Sequence, residues 1–220
     1  DVVSYRTTAN ISASDTSVFT TIVTIYDILS DLFRAVSKRT PNELRFNRPT
    51  DEWMEVYQAC AVTFFSALIA SFQDIDTCLS SNEPSESIAK NRSENGGHIL
   101  FRPVGQRMFA QLVSDFCKKA LQQGFEASDA KASDVKEVAI KAILEGVKTF
   151  SDVPTNLSAK PYTRLIWIPE TGKMSVARAS LVRDIILYKY DQLAPSVRKG
   201  MDSRLKRAMG DGAVIDDFLW

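Results

Sequence analysis

Residues 51–72 read DEWMEVYQACAVTFFSALIASF, and the fold class turns on this run. Trp53, Val56, Tyr57, Cys60, Ala61, Phe64, Phe65, Leu68, Ile69 and Phe72 recur at alternating spacings of three and four, the period of one helix face. Val62, Ala67 and Ala70 lie off that stripe and leave little polar surface in the second half. A helix apolar over so much of its circumference is expected to be buried by neighbours on several sides. Thr50 is placed to cap its start, and Asp51 and Glu52 put negative charge beside unpaired backbone N–H groups. The expectation is a central core helix over 51–72.

Outward from this helix the same period returns. Residues 1–10 are polar and Thr-rich, a strand or a loop. From Asp15 or Thr16 to Val36 the apolar positions Val18, Phe19, Ile22, Val23, Tyr26, Leu29 and Phe33 predict a helix, with Ser14 or Asp15 as cap. The β-branched run at 20–25 would suit a strand, but a single strand of about twenty residues is too long, and length decides for helix. Arg34 to Arg48 is a basic link, non-helical for much of its length because of Pro41 and Pro49. Residues 80–98 form a polar, exposed connection with a short helical turn around 85–90. Further helices are expected at 104–123, ended by Gly124, and at 133–150, capped by Ser133. Pro154, Pro161 and Pro169 break the pattern around the apolar piece 165–168, and Gly172 opens a turn. The last two helices are expected at 176–193 and 196–209, the latter a basic tail helix. The prediction is one mainly α domain over 1–220, about six helices with at most short strands.

The totals narrow the function classes. At 220 residues, with 45% hydrophobic and 25% charged, the chain suits one globular domain. Lys+Arg and Asp+Glu are equal at 27 each, so any nucleic-acid partner must be held by a local patch. Cys60, Cys78 and Cys117 are an odd, widely spaced set that reads as buried thiols in a reducing cytoplasm. The most apolar run, Ala59 to Ala70, is short for a bilayer and contains Thr63 and Ser66, so no membrane association is expected.

Chemistry is sparse. His98 is the single histidine, which rules out a two-histidine metal site within one chain, and the cysteine spacings match no zinc pattern. Gly172-Lys173-Met174 lacks both the loop and the hydroxyl of a phosphate-cradling motif. No metal, no cofactor and no catalytic residue is expected, and His98 reads as an exposed or supporting side chain. Two basic features remain. Arg34, Lys38, Arg39, Arg45 and Arg48 face one acid, Glu43, and in the last helix Arg198, Lys199 and Lys206 share a side. A solvated surface is the plain reading of both; phosphate contact with DNA is the functional one. Arg102 and Arg107 flank a helix start at Val104, where free N–H groups suit an anion.

The stretch Asn95-Gly96-Gly97-His98-Ile99-Leu100-Phe101-Arg102-Pro103-Val104-Gly105-Gln106 resembles the DGQHR-domain family, which includes the DndB-type regulators of DNA sulfur modification (phosphorothioation). Arg6-Thr7-Thr8-Ala9-Asn10-Ile11-Ser12, leading through Asp15-Thr16-Ser17 into a helix, and Leu165-Ile166-Trp167 with Gly172-Lys173-Met174 are similar to the same family. The signature Asp-Gly-Gln-His-Arg is absent, since Gly105-Gln106-Arg107 stands apart from His98, so the chain resembles the C-terminal part of such a protein and no motif residue carries over. The resemblance implies a helical part of a DNA-binding regulator associated with bacterial DNA modification and phage restriction. Its partners would be DNA and, beyond it, DNA-modification proteins, with homo-oligomerisation left open. Two other readings stand beside it: a fragment of a nucleotide-hydrolysing or DNA-nicking enzyme, and a helical oligomerisation or docking module. In every case this chain alone is expected to be catalytically silent.

Overall fold

A computed structural model describes residues 2–9, 11–12, 15–93, 95–124 and 131–220. Ten α-helices and two short two-stranded pairs order the described residues, so the mainly α reading holds with more helices than the expected six. Strand β1 (Val3–Ser4) runs parallel to β2 (Thr20–Thr21), Val3 opposite Thr20 and Ser4 opposite Thr21. Helix α1 (Ile22–Ser37) therefore starts later than Asp15 or Thr16, and its cap is Thr21, whose hydroxyl accepts from the Thr24 N–H at 3.1 Å. The β-branched residues before it have gone to the strand. Ser14, the alternative cap, lies outside the described residues.

Lys38 ends α1 with φ 56°, and the basic link then holds helix α2 (Pro41–Phe46). Pro41 occupies its first position, where a missing N–H costs nothing. Thr40 and Glu43 close a reciprocal capping box around it. The link, expected to be non-helical for much of its length, is helical over Pro41–Phe46 because of that local chemistry.

Helix α3 (Asp51–Ser71) has the expected bounds, but Thr50 makes no side-chain cap bond. Its buried residues are Val56, Tyr57, Cys60, Phe64 and Leu68, a single stripe laid mainly on α7 (Ala132–Phe150), while Val62 is 59% exposed. The helix is a flank, and the central position belongs to α6 (Pro103–Gly124). Met108, Phe109, Ala110, Leu112, Val113, Ser114 and Cys117 are buried around much of its girth between α1, α7 and α8 (Ala179–Lys189). Among the described residues α3 is also the one helix long and apolar enough, by length and composition, to cross a membrane, so the argument from a short apolar run does not hold for the whole helix.

The polar connection is more ordered and more buried than expected. Helix α4 (Gln73–Ser80) and helix α5 (Pro84–Asn91) flank its start, and Ile88, Arg92 and His98 within it are buried. Gly97, at φ +73°, lets the chain pass the Asn91 carbonyl, where an added Cβ would sit 2.2 Å from the oxygen. A buried 3-10 turn, Ile99–Phe101, leads into α6. Strands β3 (Trp167–Ile168) and β4 (Lys173–Met174) form an antiparallel hairpin. The expected tail helix is two, α9 (Pro195–Arg198) and α10 (Met201–Met209), parted at Gly200. One contiguous apolar core, from Phe19 to Phe218, joins these elements into a single compact domain.

Candidate functional site

Helix α6 faces two clefts, and its sequence explains why. Arg107, Gln111, Ser114, Asp115, Lys118 and Gln122 recur at spacings of three and four, a polar stripe on an otherwise buried helix. Along that stripe lies an open cleft of about 580 Å³, walled by the end of α1, the start of α2, α6 and Arg183 of α8. Arg34, Lys38, Arg39, Arg107, Lys118 and Arg183 line it against two carboxylates, Asp31 and Asp115.

Some of these charges are already paired. Arg107 donates to Asp27 at 3.1 Å and to Asp31 at 3.4 Å, and Arg183 pairs with Asp184 at 3.2 Å. Lys38, Arg39 and Lys118 make no ion pair among the described residues. Burial raises the Asp115 carboxyl above its ordinary value, opposed by Arg183. The Ser114 hydroxyl, buried on the cleft wall, has no hydrogen-bond partner among the described residues. A cleft with this excess of guanidinium and ammonium groups is suited to a phosphate backbone.

Of the residues expected to touch DNA, Arg34, Lys38 and Arg39 come together here. Arg45 and Arg48 do not: Arg45 lies over the Phe46 ring and Arg48 pairs with Asp51 at 3.1 Å, both away from the cleft. Lys118 and Arg183 were not anticipated. The polar stripe on α6 held the signal for Lys118, whereas Arg183 could be placed only by the packing of α8. In the tail, Arg198 pairs with Asp191 at 2.8 Å and stacks on Tyr188, while Lys199 and Lys206 line neither cleft.

Arg102, expected to help hold an anion, and His98, read as an exposed or supporting side chain, are both buried. Arg102 is 8% exposed and donates to the carbonyls of Arg92 and Gly96, both at 3.3 Å. His98 is buried between the Phe72 and Phe101 rings, edge to face, and its Nδ1 accepts from the Leu100 N–H at 3.1 Å. Burial pushes its pKa down to about 4, opposed by Asp74. An imidazole held neutral and used as an acceptor has no free lone pair toward a substrate, so general-base work is not supported. Among the described residues no cluster of metal-ligating side chains exists. The cysteines are buried free thiols, with Cys60 pushed up to about 12 by desolvation.

The His98 site gives a pH prediction. Its folded pKa lies below the ordinary 6.5, so its contribution is complete above that value and is lost as pH falls toward 4. The expected loss at pH 4.5 relative to pH 7 is about 2–3 kcal/mol from this group alone. Urea unfolding at the two pH values, for the native chain and for His98→Asn, checks it. The difference between the two chains should shrink by that amount, and equal pH dependence would overturn the assignment.

Comparison of the chain with family models, with curated proteins and with solved structures returns no match. The functional reading rests on the geometry and on the resemblance carried by residues 95–106.

Proposed function

We propose that this chain is the helical part of a DNA-binding regulatory protein of a bacterial DNA-modification and phage-restriction system, and that it holds DNA by its phosphate backbone in the cleft between α1, α6 and α8. The observation that carries the reading is the convergence of six cations on one cleft against two carboxylates, in a chain whose total charge is balanced. Lys38, Arg39 and Lys118 are the phosphate contacts, since no carboxylate among the described residues pairs with them. Such contacts supply affinity and orientation without choosing sequence. The resemblance to DGQHR-domain proteins supports the regulatory setting and the DNA-modification partners.

The test is the salt dependence of binding to a duplex of mixed sequence. Lys38→Ala, Arg39→Ala and Lys118→Ala together should lower the slope of log affinity against log salt by about one for each lost contact. Arg45→Ala with Arg48→Ala should change it far less. An unchanged slope in the triple variant, or no binding by the native chain, would return the cleft to a solvated surface.

A further inference from the structure

Helix α2 carries a large side chain that the core does not use. Phe46 is 72% exposed, and among the described residues it is the one exposed phenylalanine. A single apolar residue at a surface is ordinary; what sets Phe46 apart is the element that displays it. None of the six residues of α2 is buried, so packing contributes little to the helix, and a helix this short is marginal by itself. Its order comes from its first turn, where the Glu43 carboxylate accepts from the Thr40 N–H at 2.7 Å and from the Thr40 hydroxyl at 2.8 Å. The Arg45 guanidinium stands over the Phe46 ring, 5.3 Å from its centroid, and makes no ion pair among the described residues. A self-capped helix thus holds an aromatic ring and a free guanidinium together in solvent.

That pair stands at the edge of the cleft between α1, α6 and α8. Thr40 and Pro41 line the cleft, and Phe46 follows Pro41 by five residues, about 7.5 Å of helix rise. On a nucleic-acid strand at about 3.4 Å per nucleotide this is two to three steps. An exposed ring beside a guanidinium is the makeup of a base-stacking platform, since every base offers a flat π face and Arg adds a cation. In a duplex those faces are closed inside the stack, so only an unpaired base lies flat on such a ring. We propose, resting on the phosphate-backbone reading of the cleft, that it takes DNA with a single-stranded segment. The phosphates lie on Lys38, Arg39 and Lys118, and an unpaired base stacks on Phe46 beside Arg45. Stacking adds affinity without releasing counterions, so its loss is distinguishable from the loss of a cation.

Fluorescence anisotropy of a labelled single strand of mixed sequence, and of the duplex it forms with its complement, tests this with the full chain. Phe46→Ala should weaken single-strand binding at least about fivefold and duplex binding less than about twofold. The salt slope and the melting temperature should stay native, because the ring meets no phosphate and is not packed in the core. Phe46→Trp should keep native single-strand binding, since it offers the base an equal or larger face. Three results would overturn the proposal and leave the cleft reading in place: single-strand binding untouched by Phe46→Ala, an equal loss on both forms of DNA, or a native chain that binds the duplex and not the single strand. Binding of neither form by the native chain would overturn both.

Discussion

Replacing Arg92 with methionine is expected to destabilise the fold by about 3–4 kcal/mol, measured by urea unfolding at neutral pH. The side chain is buried, and it spans three backbone carbonyls from distant parts of the chain. Its Nε donates to Phe101 at 2.7 Å, one terminal nitrogen to Asp15 at 2.6 Å and the other to Phe19 at 3.0 Å. Those bonds tie the segment before β2 to the 3-10 turn that launches α6. Methionine keeps the stem and removes every donor. Phe19 retains the Gln106 amide at 3.3 Å, while Asp15 and Phe101 lose their donor from Arg92. Burial, with the nearby Arg102, holds the Arg92 pKa down to about 10, which leaves it charged at neutral pH and makes each bond charge-assisted. Lysine cannot present three donors in one plane, so Arg92→Lys should recover less than half of the loss. A methionine variant within about 1 kcal/mol of the native chain would show that these bonds add nothing beyond what water supplies.

The second large effect is expected at Phe64. Its ring is fully buried, 6.4 Å from the Phe109 ring and 5.3 Å from Phe65, so it joins α3 to the central helix. Phe64→Ala should cost about 3–5 kcal/mol, the transfer term plus the cavity left behind. Phe65, one residue on, is half-buried on the wall of an apolar groove, and Phe65→Ala should cost about 1–2 kcal/mol. Equal losses at the two positions would contradict the one-sided packing of α3. That packing is the point on which the periodicity of residues 51–72 misleads.

Periodicity reports which positions are apolar, not how many neighbours arrive to cover them. The bounds of α3 and the course of α6, α7 and most of α8 are legible because helix formation is local. A three-and-four spacing, a turn-forming glycine and a proline act within a few residues of themselves. The breaks that local reasoning missed were also local, but required weighing weak signals: the capping box of Thr40 and Glu43 in the basic link, and Gly200 inside the tail. The helical class therefore belongs to the sequence.

What the tertiary structure decided is which face meets which. Arg92 reads as one polar residue in a polar connection, and becomes a buried strut because Asp15, Phe19 and Phe101 deliver carbonyls to it from three places in the chain. His98 turns inward because Phe72 and Phe101 close over it. Lys38, Lys118 and Arg183 share a cleft although they lie on helices far apart in sequence, while Arg45 and Arg48, their nearer neighbours in the basic link, point elsewhere. A charged side chain's environment is the sum of what non-local segments bring to it. That sum is set by the packing of α1 and α8 on α6, and no window of the sequence contains it.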